Sequence, residues 1–351
     1  TARRHRLLGQ LGAALERIGY IEQLPPQVQE TFATELRRRR QYYERRLLPQ
    51  LQEVCRALLD AEITPVLLKG AALVCDGILD PSQRPMGDLD LLVSREEVAR
   101  ASQVLRDLGY RHRVPQQTAR WARRHHYQDP PWYHPDRAVA VEIHWDLARR
   151  DDRVPLTAAD LTRKPVALSD GSQVARFDDQ GMLTHLALHF WRDRRSGAGQ
   201  ALGQLWDIHR VAERLTPSTL SALCEAAGQR GHGQVLAAVL AIDALLLGVA
   251  NERLPAAASA MMRDSRVTDF SLARVVTSRP AHLQLLMVTG TVDYTPWRVI
   301  TRIASELRRP TSELRALHGN GPRWRLHLQH HRALFALLGR VLRTPVESIH
   351  Q

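Results

Sequence analysis

The 351-residue chain has only three cysteines, Cys55, Cys75 and Cys224, an odd and scattered set without C-x-x-C spacing. That excludes a disulfide framework and a zinc knuckle, and the three read as core thiols. No apolar run approaches the ~20 residues that cross a bilayer, so no transmembrane helix is expected. The first residues, Thr1-Ala2-Arg3-Arg4, include no initiator Met and lead into a charged amphipathic stretch, not the apolar core of a signal peptide. A cytoplasmic protein is expected, with trimming of the start allowed for. No internal repeat is found. Acidic residues are outnumbered, 37 against 49 basic ones, for a net charge of +12. Such a field attracts anions, and a phosphate-bearing small molecule, an RNA or an acidic carrier fits it almost equally well. Most of the excess is arginine, which also tracks genomic base composition, so charge alone does not select nucleic acid.

What is present is organised in three parts. A single core rarely grows past roughly 250 residues, so a chain of this length is expected to divide its core. Residues 1–60 read as an N-terminal helical segment. Leu7, Leu8, Leu11, Ala14 and Leu15 share one apolar face, and a longer amphipathic stretch from about Gln27 to Asp60 is kinked at Pro49. Arg37 to Arg40 point in four directions on a helix and read as a solvated face. Residues 61–177 read as a small α/β core, and 178–351 as a helical C-terminal domain with segments near Gly181–Arg192, Ala201–Leu215, Ser218–Ala227 and Gly233–Leu247. Beyond Pro255, helical stretches are divided by Pro280, Pro296, Pro310 and Pro322.

Within the middle part, Thr64 to Leu68 is an apolar run suited to a buried strand, broken at Lys69-Gly70 and followed by a helix from Ala71 to Leu79. Asp88 to Val93 is a second strand, after which Ser94 caps a helix with Glu97 at the capping-box position. Tyr110 to Val114 reads as a third strand, Gln116 to His125 as a helix, and Val139 to Trp145 as an alternating fourth strand. A hairpin is expected at Val166 to Phe177, turning at Asp170-Gly171.

Asp88 and Asp90 at i and i+2 project from one face of their strand, while Leu89 and Leu91 project from the other. Two like charges held together call for a cation, and oxygen donors on a rigid strand suit Mg²⁺ or Mn²⁺. Glu142 and His144 share a face in the same way, so if their strand is a neighbour, Glu142 becomes a third carboxylate and a third metal ligand. That constellation fits two-metal phosphoryl transfer. Asp90 is the candidate bridge between ions, Asp88 completes the nucleotide-side ion, and Glu142 holds the second ion or accepts the proton of the incoming hydroxyl. Upstream, Lys69 and Gly70 stand where free backbone N–H groups of a helix start form an anion site. Gly70 is expected to let phosphate approach, Lys69 to add a positive charge, and Arg84 to clamp a phosphate oxygen.

The runs L-L-K-G-A-A-L (67–73), R-P-M-G-D-L-D-L-L-V (84–93) and V-E-I-H-W-D-L (141–147) resemble the bacterial nucleotidyltransferase-like family of the DNA polymerase β superfamily. A looser resemblance continues through H-L-A-L-H-F-W (185–191) and Q-L-W-D-I-H-R (204–210). The resemblance implies an α+β palm with a small mixed sheet, flanked by N-terminal helices and a C-terminal helical domain. It also implies metal-dependent transfer of a nucleoside monophosphate with release of pyrophosphate, and does not name the acceptor. The leading expectation is transfer from an NTP, ATP foremost, to a hydroxyl, phosphate or carboxylate of a small-molecule or peptide acceptor, with tRNA as the nearest variant. Some members lie beside natural-product biosynthetic genes. The wider superfamily places Gly-Ser or Gly-Gly at the strand-to-helix turn, where this chain has Lys69-Gly70-Ala71, so Lys69 stands in for the missing hydroxyl.

Other residues have two readings. His185 and His189 have the spacing of a metal pair but lack a suitably spaced third ligand; either packing and hydrogen bonding against Asp207, bordering the nucleotide cleft, or a purely structural role is expected instead. His144 either orients a substrate phosphate or Glu142, or is satisfied within the core. The mixed aromatic and cationic stretch from Trp121 to His134 reads as an acceptor-facing surface or as a solvated helix and loop. The glycines of Arg195 to Gly199 suggest a mobile loop. Two rival functions remain: a D-x-D glycosyltransferase using a nucleotide-sugar, disfavoured because only one strand precedes Asp88, and a non-catalytic basic protein binding RNA or peptide.

Overall fold

The computed structural model describes residues 7–114, 119, 123, 126–148, 156–196, 201–263, 267, 311, 314 and 321–342. Helices α1 (Leu8–Arg17) and α2 (Pro26–Tyr42) come first, and a π-helical turn, Tyr43–Leu47, joins α2 to α3 (Leu48–Asp60). The widened turn stands immediately before Pro49, which has no N–H to continue an α-helical ladder. A π-helical turn thus stands where the kink is expected. The buried stripe of α3, Leu51, Val54, Cys55 and Leu58, packs into the core.

The sheet has seven strands in the order β3-β4-β5-β2-β1-β7-β6. They are β1 (Val66–Leu67), β2 (Asp88–Leu92), β3 (Arg111–His112), β4 (Trp132–Tyr133), β5 (Ala140–His144), β6 (Arg163–Ala167) and β7 (Gln173–Phe177). Strand β2 runs parallel to β5 and antiparallel to β1, and β1 runs parallel to β7, so the sheet is mixed, as expected. Short helix α4 (Lys69–Cys75) follows β1 and ends before Gly77, whose φ of +68° suits glycine. It starts and stops earlier than the expected Ala71–Leu79.

Helix α5 (Val98–Asp107) begins three residues later than the capping pattern indicated. Glu97 Oε2 accepts from the Ser94 N–H at 2.9 Å, so that half of the box closes a turn ahead of the helix. The third strand shrinks to two residues, and β4 appears where no strand was expected, because two residues show no alternation. The hairpin of β6 and β7 forms as read, with Gly171 at φ +85° in its turn. The expected helix Gln116–His125 lies outside the described residues apart from Ala119 and Arg123, as do Gly197 to Gly199 and the segments around Pro280, Pro296 and Pro310.

Beyond the sheet come α6 (Asp179–Ser196), α7 (Ala201–Ala212), α8 (Pro217–Gln229), α9 (Gly233–Leu247), α10 (Ala256–Met262) and α11 (Arg323–Leu342). Helix α9 is buried from Val235 to Ala244 and apolar there apart from Asp243, which bonds His209, and this makes it the centre of the helical layer. One cluster of buried side chains runs from Tyr43 through the sheet to Val267. Each fully buried Leu or Val in it contributes about 1.5–3 kcal/mol.

The sheet is tied to α6 by a buried arginine. Arg176 on β7 has no solvent exposure and pairs with Asp76 at the end of α4 and with Asp179 at the start of α6. Removing one partner of a buried pair strands the other charges. Arg176→Ala is therefore expected to lower stability by on the order of 3 kcal/mol in urea unfolding, whereas Arg214→Ala, at the half-exposed pair with Asp179, should cost at most about 1 kcal/mol. Equal effects of the two would contradict this account.

Candidate active site

Alternation along β2 buries Leu89 and Leu91 and turns Asp88 and Asp90 to the opposite face. The parallel register sets Asp90 beside Glu142, Asp88 beside Ala140, and Leu92 beside His144. The two strands expected to converge are therefore direct neighbours, and the carboxylates share one face. Asp90 is buried, and its Oδ1 accepts from Lys69 Nζ at 2.8 Å and from His144 Nε2 at 2.9 Å. Glu142 Oε2 accepts from Gln128 Nε2 at 2.9 Å and lies 3.7 Å from His144 Nε2. Asp88 sits at the exposed start of β2.

These contacts set the charges. Burial alone would push the Asp90 carboxyl up, but the Lys69 ammonium and the His144 hydrogen bond outweigh it and hold Asp90 far below the usual carboxylate range. Burial works against a charged Lys69 too, yet Asp90, Asp88 and Glu142 raise its pKa. His144 is likewise raised, its burial outweighed by hydrogen bonds to Asp90 and Glu142. Asp88 is pushed up to about 6, first by crowding among protein atoms and then by Asp90 and Glu142.

Lys69 occupies a conformation that L-residues avoid. It follows Leu68, which is extended, and has φ +48° at the turn into α4. A left-handed lysine costs on the order of 1 kcal/mol or more. Glycine would remove that strain but supply no ammonium, so the strain is kept where the charge is needed.

Three expectations need correction. Gly70 does not open onto a ligand: it is buried, and a Cβ there would lie 2.8 Å from Met86 Cγ and 3.7 Å from Arg84 Cζ. The missing side chain admits the 84–86 loop onto α4, and a seven-residue helix offers little dipole. Asp207 is buried and meets no histidine among the described residues; it accepts from Arg84 Nε at 2.7 Å. Burial raises its pKa, with Arg84 opposing, so it is an internal brace for that guanidinium. Consequently His185 and His189 do not bond Asp207. His189 pairs with Asp193 at 3.5 Å, and His185 stacks on His189 with ring centroids 6.2 Å apart. Burial, with Lys69 nearby, keeps both imidazoles well below the usual range and hence neutral.

Sequence reading missed Gln128. A β-bridge pairs it with His144, which aims its amide at Glu142, and no local pattern announces such a contact. In the stretch from Trp121 to His134, Trp132 is core, while Tyr133 and His134 line a cavity of about 460 Å³ beside Asp88 and Glu142. A second cavity, about 850 Å³, opens between α2 and the loop carrying Arg84 and Met86. The loop from Arg84 to Asp88 thus separates two spaces.

Asp90, Glu142 and His144 offer ligand atoms all within 4.8 Å of one another. Two carboxylates and an imidazole suit a hard or borderline divalent ion, and Asp88 adds oxygens on the same face. His144 enters this cluster in place of a phosphate contact, since its Nε2 faces Asp90.

A family model described as uncharacterised nucleotidyltransferase matches residues 1–248. No curated protein matches the sequence. Among solved structures, the crystal structure of an antigenic nucleotidyltransferase-like protein from Paracoccidioides brasiliensis is 19% identical, with 54% of this chain and 91% of that chain covered and a TM-score of 0.35.

Lys69 is the counter-charge for three carboxylates, so a divalent ion should substitute for it. In metal-free buffer Lys69→Met is expected to lower the melting temperature by about 5 °C, and added Mg²⁺ to close most of that gap. Scanning calorimetry with and without Mg²⁺ checks this, and a gap indifferent to the ion contradicts it.

Proposed function

Because the chain belongs to the uncharacterised nucleotidyltransferase family, we propose that it transfers a nucleoside monophosphate from an NTP, ATP foremost, to a hydroxyl, phosphate or carboxylate oxygen of a small-molecule or peptide acceptor. The observation that carries this reading is the parallel register of β2 and β5, with Asp90 beside Glu142 and Asp88 two residues along the same face. In the reaction the acceptor oxygen bonds to the α-phosphorus, the bond from that phosphorus to the bridging oxygen breaks, and pyrophosphate leaves with the electron pair. Where the acceptor oxygen is a hydroxyl, its proton passes to Glu142 or to solvent; a carboxylate or phosphate oxygen attacks as the anion.

Asp88, Asp90 and Glu142 are the residues that would hold Mg²⁺ or Mn²⁺. Bound there, the ion neutralises developing charge on the phosphates. His144 fixes the orientation of Asp90 and Gln128 that of Glu142, so the ligands are set before any ion arrives. Lys69, bonded to Asp90, is a flexible point charge that would be free to face a phosphate oxygen were an ion to take its place at Asp90. Arg84 is held by Asp207 and by the Pro85 carbonyl, and its Nη2 makes no hydrogen bond among the described residues. It is assigned to the polyphosphate. A peptide of a natural-product pathway and the end of a tRNA remain within the acceptor range.

Pyrophosphate release should be detectable with at least one of the four NTPs in Mg²⁺ and fall about 100-fold or more in Asp90→Asn. Full activity of that variant would refute the assignment. Asp88, raised to about 6, carries a proton below that pH in the free protein, and the proton must leave when an ion binds. Mg²⁺ affinity measured by calorimetry is therefore expected to be level above about pH 7 and to fall roughly tenfold per pH unit below about pH 5. Affinity unchanged down to about pH 4.5 would contradict a role for Asp88 in metal binding.

A further inference from the structure

The cavity of about 460 Å³ is lined by Asp88 of β2 and Glu142 of β5, and, farther along the sheet toward β4 and β3, by Tyr133, His134, Arg137 and Arg113. The cations assigned to the polyphosphate, Lys69 and Arg84, belong to the β1 side of the aspartates, whereas this cavity opens on the far side, along β5, β4 and β3. Glu142, which takes the proton of the incoming hydroxyl or holds the ion beside it, faces that space. The acceptor therefore enters here.

The charges toward β4 and β3 differ in what they have left to offer. Arg137 is engaged by Glu53, with Nε 2.8 Å from Oε2. His134 accepts from the Asp136 N–H at its Nδ1, 3.0 Å away, and its Nε2 edge faces Gly109, so both ring nitrogens are already turned to the protein. Arg113 is different. It is exposed, lies 4.0 Å over the Tyr133 ring, and pairs with no carboxylate among the described residues. Stacking on an aromatic face orients a guanidinium while leaving its N–H edge available, which is the geometry for bidentate recognition of a carboxylate or phosphate.

We propose that the acceptor is a small hydroxylated molecule bearing a phosphate or carboxylate, with its anionic group on Arg113 and its hydroxyl turned toward Glu142. This rests on the nucleotidyl-transfer reading and names its acceptor class. The dimensions agree. Two strand spacings, about 10 Å, separate β5 from β3, and the reach of the arginine leaves room for a linker of a few carbons. A cavity of this volume suits a small molecule. An uncharged acceptor would leave Arg113 unanswered, and a second anion near Glu142 and Asp88 would be repelled, so the polarity of the cavity also fixes which end of the acceptor reacts.

The test is calorimetric titration of the full chain, first with Mg²⁺ and a non-hydrolysable ATP analogue, then, on the loaded protein, with glycerol 3-phosphate, glycerate and glycerol. One or both anionic probes are expected to bind at least about tenfold more tightly than glycerol, and the comparison between them tells phosphate from carboxylate. Arg113→Ala should weaken the anionic probe about tenfold or more, with Arg113→Lys intermediate and melting temperatures unchanged for this exposed side chain. Three results overturn the proposal: no binding of either anion, equal binding of glycerol, or an anion affinity untouched in Arg113→Ala. If the ATP analogue fails to bind while an Arg113-dependent anion still does, the nucleotidyl-transfer reading falls and the anion site stands.

Discussion

Three carboxylates held on one face of two adjacent strands repel one another, and the rest of the site is organised around that repulsion. Hydrogen bonding between β2 and β5 leaves Asp90 and Glu142 no freedom to separate, because their backbones are locked in parallel register. The free protein answers with a lysine. Lys69 reaches Asp90 from a strained turn, and His144 donates to the same oxygen from the neighbouring strand. An ammonium is a replaceable counter-charge, since it contributes a monovalent charge where a divalent ion would contribute more. The resting arrangement is therefore neutralised without being closed to metal.

Around this centre the packing is divided by task. The floor is rigid: β2 and β5 bury Leu89, Leu91, Val141 and Ile143 on the side away from the carboxylates. The braces come from far along the chain, with Asp207 on α7 holding Arg84 and Gln128 holding Glu142. Asp88 and Glu142 open onto the cavity that also holds Arg113, while a separate cavity against α2 is lined by Arg84 and Met86.

Much of this was legible before any coordinates. Period-two alternation put Asp88 with Asp90 and Glu142 with His144, and these are consequences of strand geometry alone. Lys69 and Arg84 were singled out as cations near the carboxylates, though their resting partners are Asp90 and Asp207. What stayed hidden depends on which elements become neighbours. The Arg84–Asp207 pair joins residues 123 apart in sequence, and the His144–Asp90 bond joins residues 54 apart. Neither separation leaves a local trace. Gly70 misled for a related reason: a glycine after a strand signals close approach, but the approaching group is Met86, not a ligand. Strands of two residues, β3 and β4, are too short to show alternation, so the Arg113 end of the cavity could not be assembled from periodicity.

The central proposal is that Asp90 and Glu142, the carboxylates of β2 and β5, would hold a divalent ion in place of the Lys69 ammonium. Anomalous diffraction from crystals of the full chain grown with Mn²⁺ and a non-hydrolysable NTP tests it directly. The account predicts a manganese peak bridging Asp90 and Glu142, with the Lys69 ammonium moved from Asp90 to a phosphate oxygen. Manganese absent from that position, or Lys69 still bonded to Asp90 beside a bound nucleotide, would contradict it.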